Sequence, residues 1–152
     1  MKQPELRELE PASAAAAIYE LMQASYKEEA RLLGLSEFYP LRRTAKDIAR
    51  SSNRFLGLLG EKELRALCEL EQVGERSLVI ASLVVHPDAF RQGLASRLIN
   101  YVLEYEPFDH LEVSTAEKNL PATQLYQKLG FKLKSRKALP EGLVIVLFCY
   151  ER

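Results

Sequence analysis

Cysteine is scarce, neither sign of charge is in excess, and no apolar run is long, and each shortage closes off a class of function. Only Cys68 and Cys149 occur, each inside an apolar segment. That argues against a disulfide framework or a cysteine metal cluster and for buried, reduced thiols in a cytoplasmic setting. Lys plus Arg and Asp plus Glu each number 21, so the formal net charge is zero. No basic surplus remains for the phosphate backbone of a nucleic acid. The opening residues, MKQPELRELEP, lack the apolar stretch of a secretion signal. No later run approaches the roughly 18 apolar residues that a membrane span needs. Nucleic acid and membrane are therefore not expected partners, and no metal site is expected.

What is present is the composition of an ordinary globular protein, 47% hydrophobic and 28% charged, enough apolar residues to build a core. At 152 residues the chain suits one domain, 1–152, rather than two. ELRELEP reads as a first strand ended by Pro11, followed by a helical stripe of Ala14, Ala17, Ile18, Leu21 and Met22 that should face the core. The next stretch is irregular, punctuated by Gly34 and Pro40, with a short second helix in TAKDIARS opened by Thr44.

RFLGLLGEKELRALCELEQVG reads as a hairpin turning at Gly60-Glu61-Lys62. SLVIASLVV has the continuous apolar character of a strand buried on both faces. A third helix follows, with Leu94, Leu98, Val102 and Tyr105 on one side. HLEVST is then a strand, NLPATQLYQKLG a helix with Pro121 in its first turn and Gly130 past its end, and FKLKSRK and LVIVLFCY two closing strands. The sum is an α/β chain of about seven strands and four helices, a mixed sheet covered by helices.

The junction HPDAFRQGLASRL, residues 86 to 98, carries the chemistry. A strand ending at Val85 and a helix beginning near Gly93 leave unpaired backbone N–H groups at the positive end of a helix dipole, which are the parts of an anion site. Gly93 permits close approach, Ala95 keeps the first turn small, and the Ser96 hydroxyl can donate another bond. The junction is neither a Walker loop, since no Gly-Lys-Ser/Thr follows, nor the dinucleotide fingerprint, since the second and third glycines are missing.

VHPDAFRQGLASRLI resembles the acyl-CoA-binding motif of the GNAT superfamily of N-acetyltransferases, in which a strand and V-x-P lead to Gln/Arg-x-x-Gly-x-Gly/Ala at a helix start. NLPATQLYQKLGF, residues 119 to 131, is similar to that family's N-x-x-A-x-x-L-Y-x-x-x-G-F. At the motif's first loop position stands Phe90, with the arginine one place later at Arg91. The resemblance implies a GNAT-like acyl-CoA N-acyltransferase fold and an acetyltransferase using acetyl-CoA as acyl donor and a primary amine of a small molecule, peptide or protein as acceptor, by direct attack in a ternary complex.

It further implies that a pantetheine arm runs along Leu83, Val84 and Val85, and that the loop of Phe90, Arg91, Gln92, Gly93, Leu94, Ala95 and Ser96 holds the pyrophosphate. A backbone N–H near Val85 would donate to the thioester carbonyl. Tyr126 stands where the family places its general acid, and Asn119 would bond the pantetheine or cap its helix, or both. The aromatic and basic residues Tyr26, Phe38, Tyr39, Arg42 and Arg43 lie in the region that borders the family's acceptor, either to hold a small amine bearing a carboxylate or, for Arg42 and Arg43 above all, as solvated surface.

The base stays open. The family's fourth-strand carboxylate has no counterpart in SLVIASLVV. Glu69 and Glu71 alternate onto one face of the preceding strand, either as a solvated face or as a base acting directly or through water. Glu112 and Ser114 on the next strand are equally undecided. His86 reads as a turn residue and His110 as a surface residue beginning a strand. A non-catalytic acyl-CoA-binding sensor or partner-binding module is the alternative to an enzyme. A homodimer is open to the chain if LVIVLFCY lies near the sheet edge.

Overall fold

Seven strands form one sheet in the computed structural model, which describes residues 3–140 and 142–152. In chain order the elements are β1 (Glu5–Leu9), α1 (Pro11–Leu33), α2 (Ala45–Ala49), β2 (Arg54–Leu59), β3 (Leu64–Gly74) and β4 (Ser77–Val85). Then come α3 (Leu94–Tyr105), β5 (His110–Ala116), α4 (Leu120–Lys128), β6 (Lys132–Ala138) and β7 (Val144–Glu151). The sheet order is β1-β2-β3-β4-β5-β7-β6, antiparallel except where β4 meets β5. It is the mixed α/β architecture that the element order implies.

Helices cover both faces. Ile18, Leu21 and Met22 of α1 and Ile48 of α2 pack on Phe55, Leu67 and Val84. On the other face Leu94, Leu98, Ile99 and Val102 of α3 and Tyr126 of α4 pack on Leu56, Cys68, Ile80, Leu111 and Phe148. Local chemistry fixes the helix ends. Thr44 and Asp47 form a reciprocal capping box at α2, which satisfies two orphan donors. Asn119 accepts from Ala122 N at the start of α4.

Several details differ from the sequence reading. α1 does not stop near Met22 but continues through Tyr26 and Glu29 to Leu33, where Gly34 at φ 71° turns the chain out with its N–H on Arg31 and the Leu35 N–H on Ala30. Ala15, not Ala17, joins the buried stripe, and Tyr105 is 63% exposed at the end of α3. Cys149 is half-buried, while Cys68 is fully buried, and both are free thiols. The apolar β7 is not at the edge: it lies between β5 and β6, so its own hydrogen bonds are spent and the outer strands are β1 and β6.

The largest difference concerns β4, which is not buried evenly on both faces. Glu69 pairs with Ser82 and Leu70 with Ile80, so Ala81 is an extra residue opposite β3. A β-bulge of this kind reverses the alternation of side chains beyond it. Leu78 and Ile80 point into the α3 side, and Leu83 and Val85 pack on that same side. Val84 points into the α1 side. Pairing with β5 runs only from Ser77↔His110 to Ile80↔Val113 and ends at the bulge.

Leu98 is fully buried in the α3 face. Leu98→Ala should cost roughly 2–5 kcal/mol through lost burial and the cavity left behind, read from the shift in a urea unfolding midpoint at unchanged slope.

Candidate active site

Where β4 and β5 part, a cavity of about 350 Å³ opens through the sheet. β4 supplies Ile80, Ala81, Ser82 and Leu83, and β5 supplies Val113, Ser114, Thr115 and Ala116. Tyr26 and Glu29 of α1 and Asn119, Ala122 and Tyr126 at α4 complete the lining. A neighbouring depression of about 470 Å³ shares Tyr26, Tyr39, Pro40, Ala81 and Ser82 and adds Arg42, Arg43 and Asp47. The aromatic and basic residues singled out in the sequence thus gather at one mouth, with Tyr26 and Phe38 in edge contact at 5.9 Å.

Beyond Val85 the chain makes a 3₁₀ turn at Pro87–Ala89 and enters α3 through Gly93 at φ 74°. Arg91 is the one non-glycine residue with positive φ, 65°, among those described. The N–H groups of Arg91, Gln92, Gly93, Leu94, Ala95 and Ser96 find no acceptor among the described residues. A Cβ on Gly93 would meet nothing within 4 Å. A run of free N–H groups with open space at a helix N-terminus suits an anion, and the unpaired edge of β4 from Ala81 to Val85 suits an extended chain carrying amides. The residues present therefore fit acetyl-CoA. The Leu94 and Val84 side chains are buried in the core, so those two residues offer only backbone. Phe90 is 42% exposed.

Tyr126 is buried, its ring 5.8 Å from both Phe131 and Phe148. Its hydroxyl has no hydrogen-bond partner among the described residues, although no buried polar side-chain atom there is left unpartnered, so the hydroxyl opens on the cavity. Burial, with the nearby Cys68, Glu29 and Tyr26 adding to it, pushes this phenol well above its ordinary value of 10.0. Burial likewise raises Tyr26 to about 12, opposed in part by the Ser82 hydroxyl. Asn119 uses both ends of its amide within the protein: Oδ1 accepts from Ala122 N at 3.3 Å and Nδ2 donates to Glu29 Oε1 at 2.8 Å.

The candidate bases separate sharply. Glu69 is not on a solvated strand face but 1% exposed. It accepts two bonds from Arg43 at 2.6 and 2.9 Å, one from Asn53 at 2.8 Å and one from Ser82 at 2.8 Å. Burial raises its carboxyl, yet these bonds outweigh burial and hold it below the ordinary value, which makes it a poor proton acceptor. Glu71 is exposed on β3 beyond the bulge. Glu112 is held by His110 at 2.7 Å and Lys134 at 3.0 Å and does not reach the cavity. Ser114 does line it. His86 serves its own turn by accepting from Asp88 N at 3.1 Å. His110 begins β5, bonded to Glu112 and Glu151.

Glu29 escaped the sequence reading. Its signal was its spacing: seven and eleven residues beyond Met22 and Ile18, it continues their buried stripe as a carboxylate on the inward face of α1.

Residues 15–131 match the Acetyltransferase (GNAT) family, and the chain belongs to it. Members use acetyl-CoA as acyl donor. The chain is 33% identical over 138 residues to the UPF0157 protein YqkA of Bacillus subtilis, across 90% of this chain and 40% of that protein. It is 37% identical over 54 residues to the peptidyl-lysine N-acetyltransferase YiaC of Escherichia coli, 36% of each. Its alignments thus span well under half the length of both curated relatives.

Among solved structures, the ribosomal-protein-S18-alanine N-acetyltransferase of Escherichia coli superposes with a TM-score of 0.76 at 20% identity, covering 97% of this chain and 92% of that one. A Salmonella typhimurium protein solved with its cofactor acetyl-CoA gives 0.71 at 15% identity, covering 99% and 94%. No helix among the described residues is long and apolar enough to cross a membrane.

Glu69 generates a pH dependence of known sign. With its folded pKa below the ordinary 4.5, its stabilising contribution is complete above that value and is lost as pH falls through the folded pKa. Glu69→Gln should flatten the acid limb of stability against pH in urea titrations. Arg43→Met should instead cost roughly 3–5 kcal/mol at neutral pH by leaving a buried carboxylate uncompensated.

Proposed function

We propose that this chain is an N-acetyltransferase, one domain acting in the cytoplasm, that moves an acetyl group from acetyl-CoA to a primary amine of a small molecule, peptide or protein. The observation that carries the reading is the Tyr126 hydroxyl, without a hydrogen-bond partner among the described residues, in the cavity where β4 and β5 part. Two relatives whose names record action on lysine and alanine amines of proteins support an amine as acceptor.

Acetyl-CoA supplies an activated thioester carbonyl. The free edge of β4 at Leu83 and Val85 holds its amide-bearing arm, and a backbone N–H near Val85 donates to the carbonyl oxygen as charge develops there, often the largest catalytic contribution. The N–H groups from Arg91 to Ser96 hold the pyrophosphate. Tyr126 stays neutral across the working pH range, since burial raises a phenol that already titrates above a thiol, about 10 against about 8.5. Its proton is therefore available as a hydrogen bond to the departing sulfur and is not lost beforehand. Tyr26, Phe38 and Tyr39 border the acceptor, whose amine approaches through the mouth they form.

Amine-dependent release of free thiol from acetyl-CoA tests the reading, with a lysine-containing peptide, an alanine-terminated peptide and free amino acids as acceptors. Tyr126→Phe should lower kcat by about 100-fold or more while the dissociation constant for acetyl-CoA, measured by calorimetry, stays the same. Acetyl-CoA binding without release for any amine would instead favour a sensor or partner-binding module.

A further inference from the structure

Of the carboxylates around the cavity and its neighbouring depression, three are already satisfied. Glu69 is paired with Arg43, Glu37 lies 3.5 Å from Arg42, and Asp47 accepts from the Thr44 N–H at the α2 cap. Glu29 is different. Its one hydrogen bond among the described residues comes from the neutral amide of Asn119 at 2.8 Å, and no cation among those residues is set against it. A carboxylate partly withdrawn from water without a cation is costly unless it takes up a proton or a ligand's cation completes it.

We infer that Glu29 receives the acceptor: its carboxylate binds the acceptor's ammonium in the cavity and takes the proton that must leave before the nitrogen can attack. The inference rests on the acetyltransferase reading and deepens it. Glu29 and Tyr126 line the same cavity, one on α1 and the other on α4, and Asn119 at the start of α4 bonds Glu29 directly. An amine bound in that cavity meets both a proton acceptor and a hydroxyl donor. Burial raises the Glu29 carboxyl, and the Asn119 bond only partly offsets it. That brings a carboxylate nearer to what a base at neutral pH requires.

The protons balance. Glu29 takes one proton from R–NH₃⁺, and the nitrogen lone pair forms the C–N bond. The C–S bond then breaks with its electron pair going to sulfur. Tyr126 gives its proton to that thiolate and regains one from the second N–H of the nitrogen. Glu29 releases its proton to solvent, leaving an amide, a thiol and one H⁺.

The titratable groups lining the cavity with Glu29 are Tyr26 on its own helix, Tyr126 on α4, and Glu37 and Tyr39 in the segment after α1. β4 and β5 contribute only the hydroxyls of Ser82, Ser114 and Thr115. The Tyr26 and Tyr126 phenols stay protonated through neutral pH because burial raises both, so an acid limb above the ordinary carboxylate range belongs to Glu29.

Glu29→Gln keeps the size and the hydrogen bond but cannot take a proton. It should lower kcat by about 100-fold or more, abolish the acid limb of the rate profile and leave acetyl-CoA affinity unchanged. Asn119→Ser keeps a good N-cap while withdrawing the amide from Glu29, and should move that limb to higher pH. Transfer by the wild type together with an unaltered rate and profile in Glu29→Gln would overturn the inference and leave the acetyltransferase reading standing. A ¹³C titration of the Glu29 carboxyl, assigned with Glu29→Gln, follows the same proton without requiring turnover. A raised pKa that falls when n-butylamine is added supports the inference. An ordinary pKa, or one indifferent to the amine, overturns it even where no acceptor is turned over.

Discussion

One extra residue in β4 governs the site. Ala81 has no counterpart on β3, and the strand that would otherwise present one face to each helical layer changes hands at that point. Before it, Leu78 and Ile80 belong to the α3 layer, and after it Leu83 and Val85 do, while Val84 turns to α1. The kink also ends pairing with β5 at Ile80↔Val113. A parallel pair that parts inside a sheet leaves backbone groups without partners, which is unfavourable unless a ligand or water completes them. The cavity, the free strand edge and the approach to the α3 N-terminus all follow from this departure.

The opposite wall is held by charge. Glu69 pairs across β3 and β4 with Ser82, the residue just after the bulge, and draws in Arg43 and Asn53 from the chain around α2. A buried ion pair of this kind is weak evidence for added stability, because the desolvation of both groups offsets their attraction. Its value is positional. It ties the segment carrying Tyr39, Arg42 and Arg43 to the bulged part of β4. A long α1 completes the enclosure by bringing Tyr26 and Glu29 over the gap.

The sequence disclosed what is local or carried by fixed spacing. The strand, the junction HPDAFRQGLASRL and its helix could be read because a helix N-terminus, a glycine and their flanking periodicity lie within one short segment. The same holds for NLPATQLYQKLG, where the N-cap Asn119, Pro121 and Gly130 mark the helix. What escaped depends on partners far along the chain. Glu69 looks like a residue on a solvated strand face until Arg43, 26 positions earlier, and Ser82 close around it. The bulge is invisible in SLVIASLVV because it is a mismatch in register with β3, not a property of either strand. β7 was free to be an edge strand until β6 folded back onto it. Glu29 was hidden by a segment too mixed in character to prolong α1 by pattern alone.

We propose that acetyl-CoA lies where β4 parts from β5, with its phosphates on the α3 N-terminus. Amide hydrogen exchange with and without acetyl-CoA tests it most directly. Slowed exchange concentrated in residues 81–85 and 91–96 is the predicted result. Saturating acetyl-CoA that leaves those amides unprotected, or protects a different face of the sheet, would contradict the account.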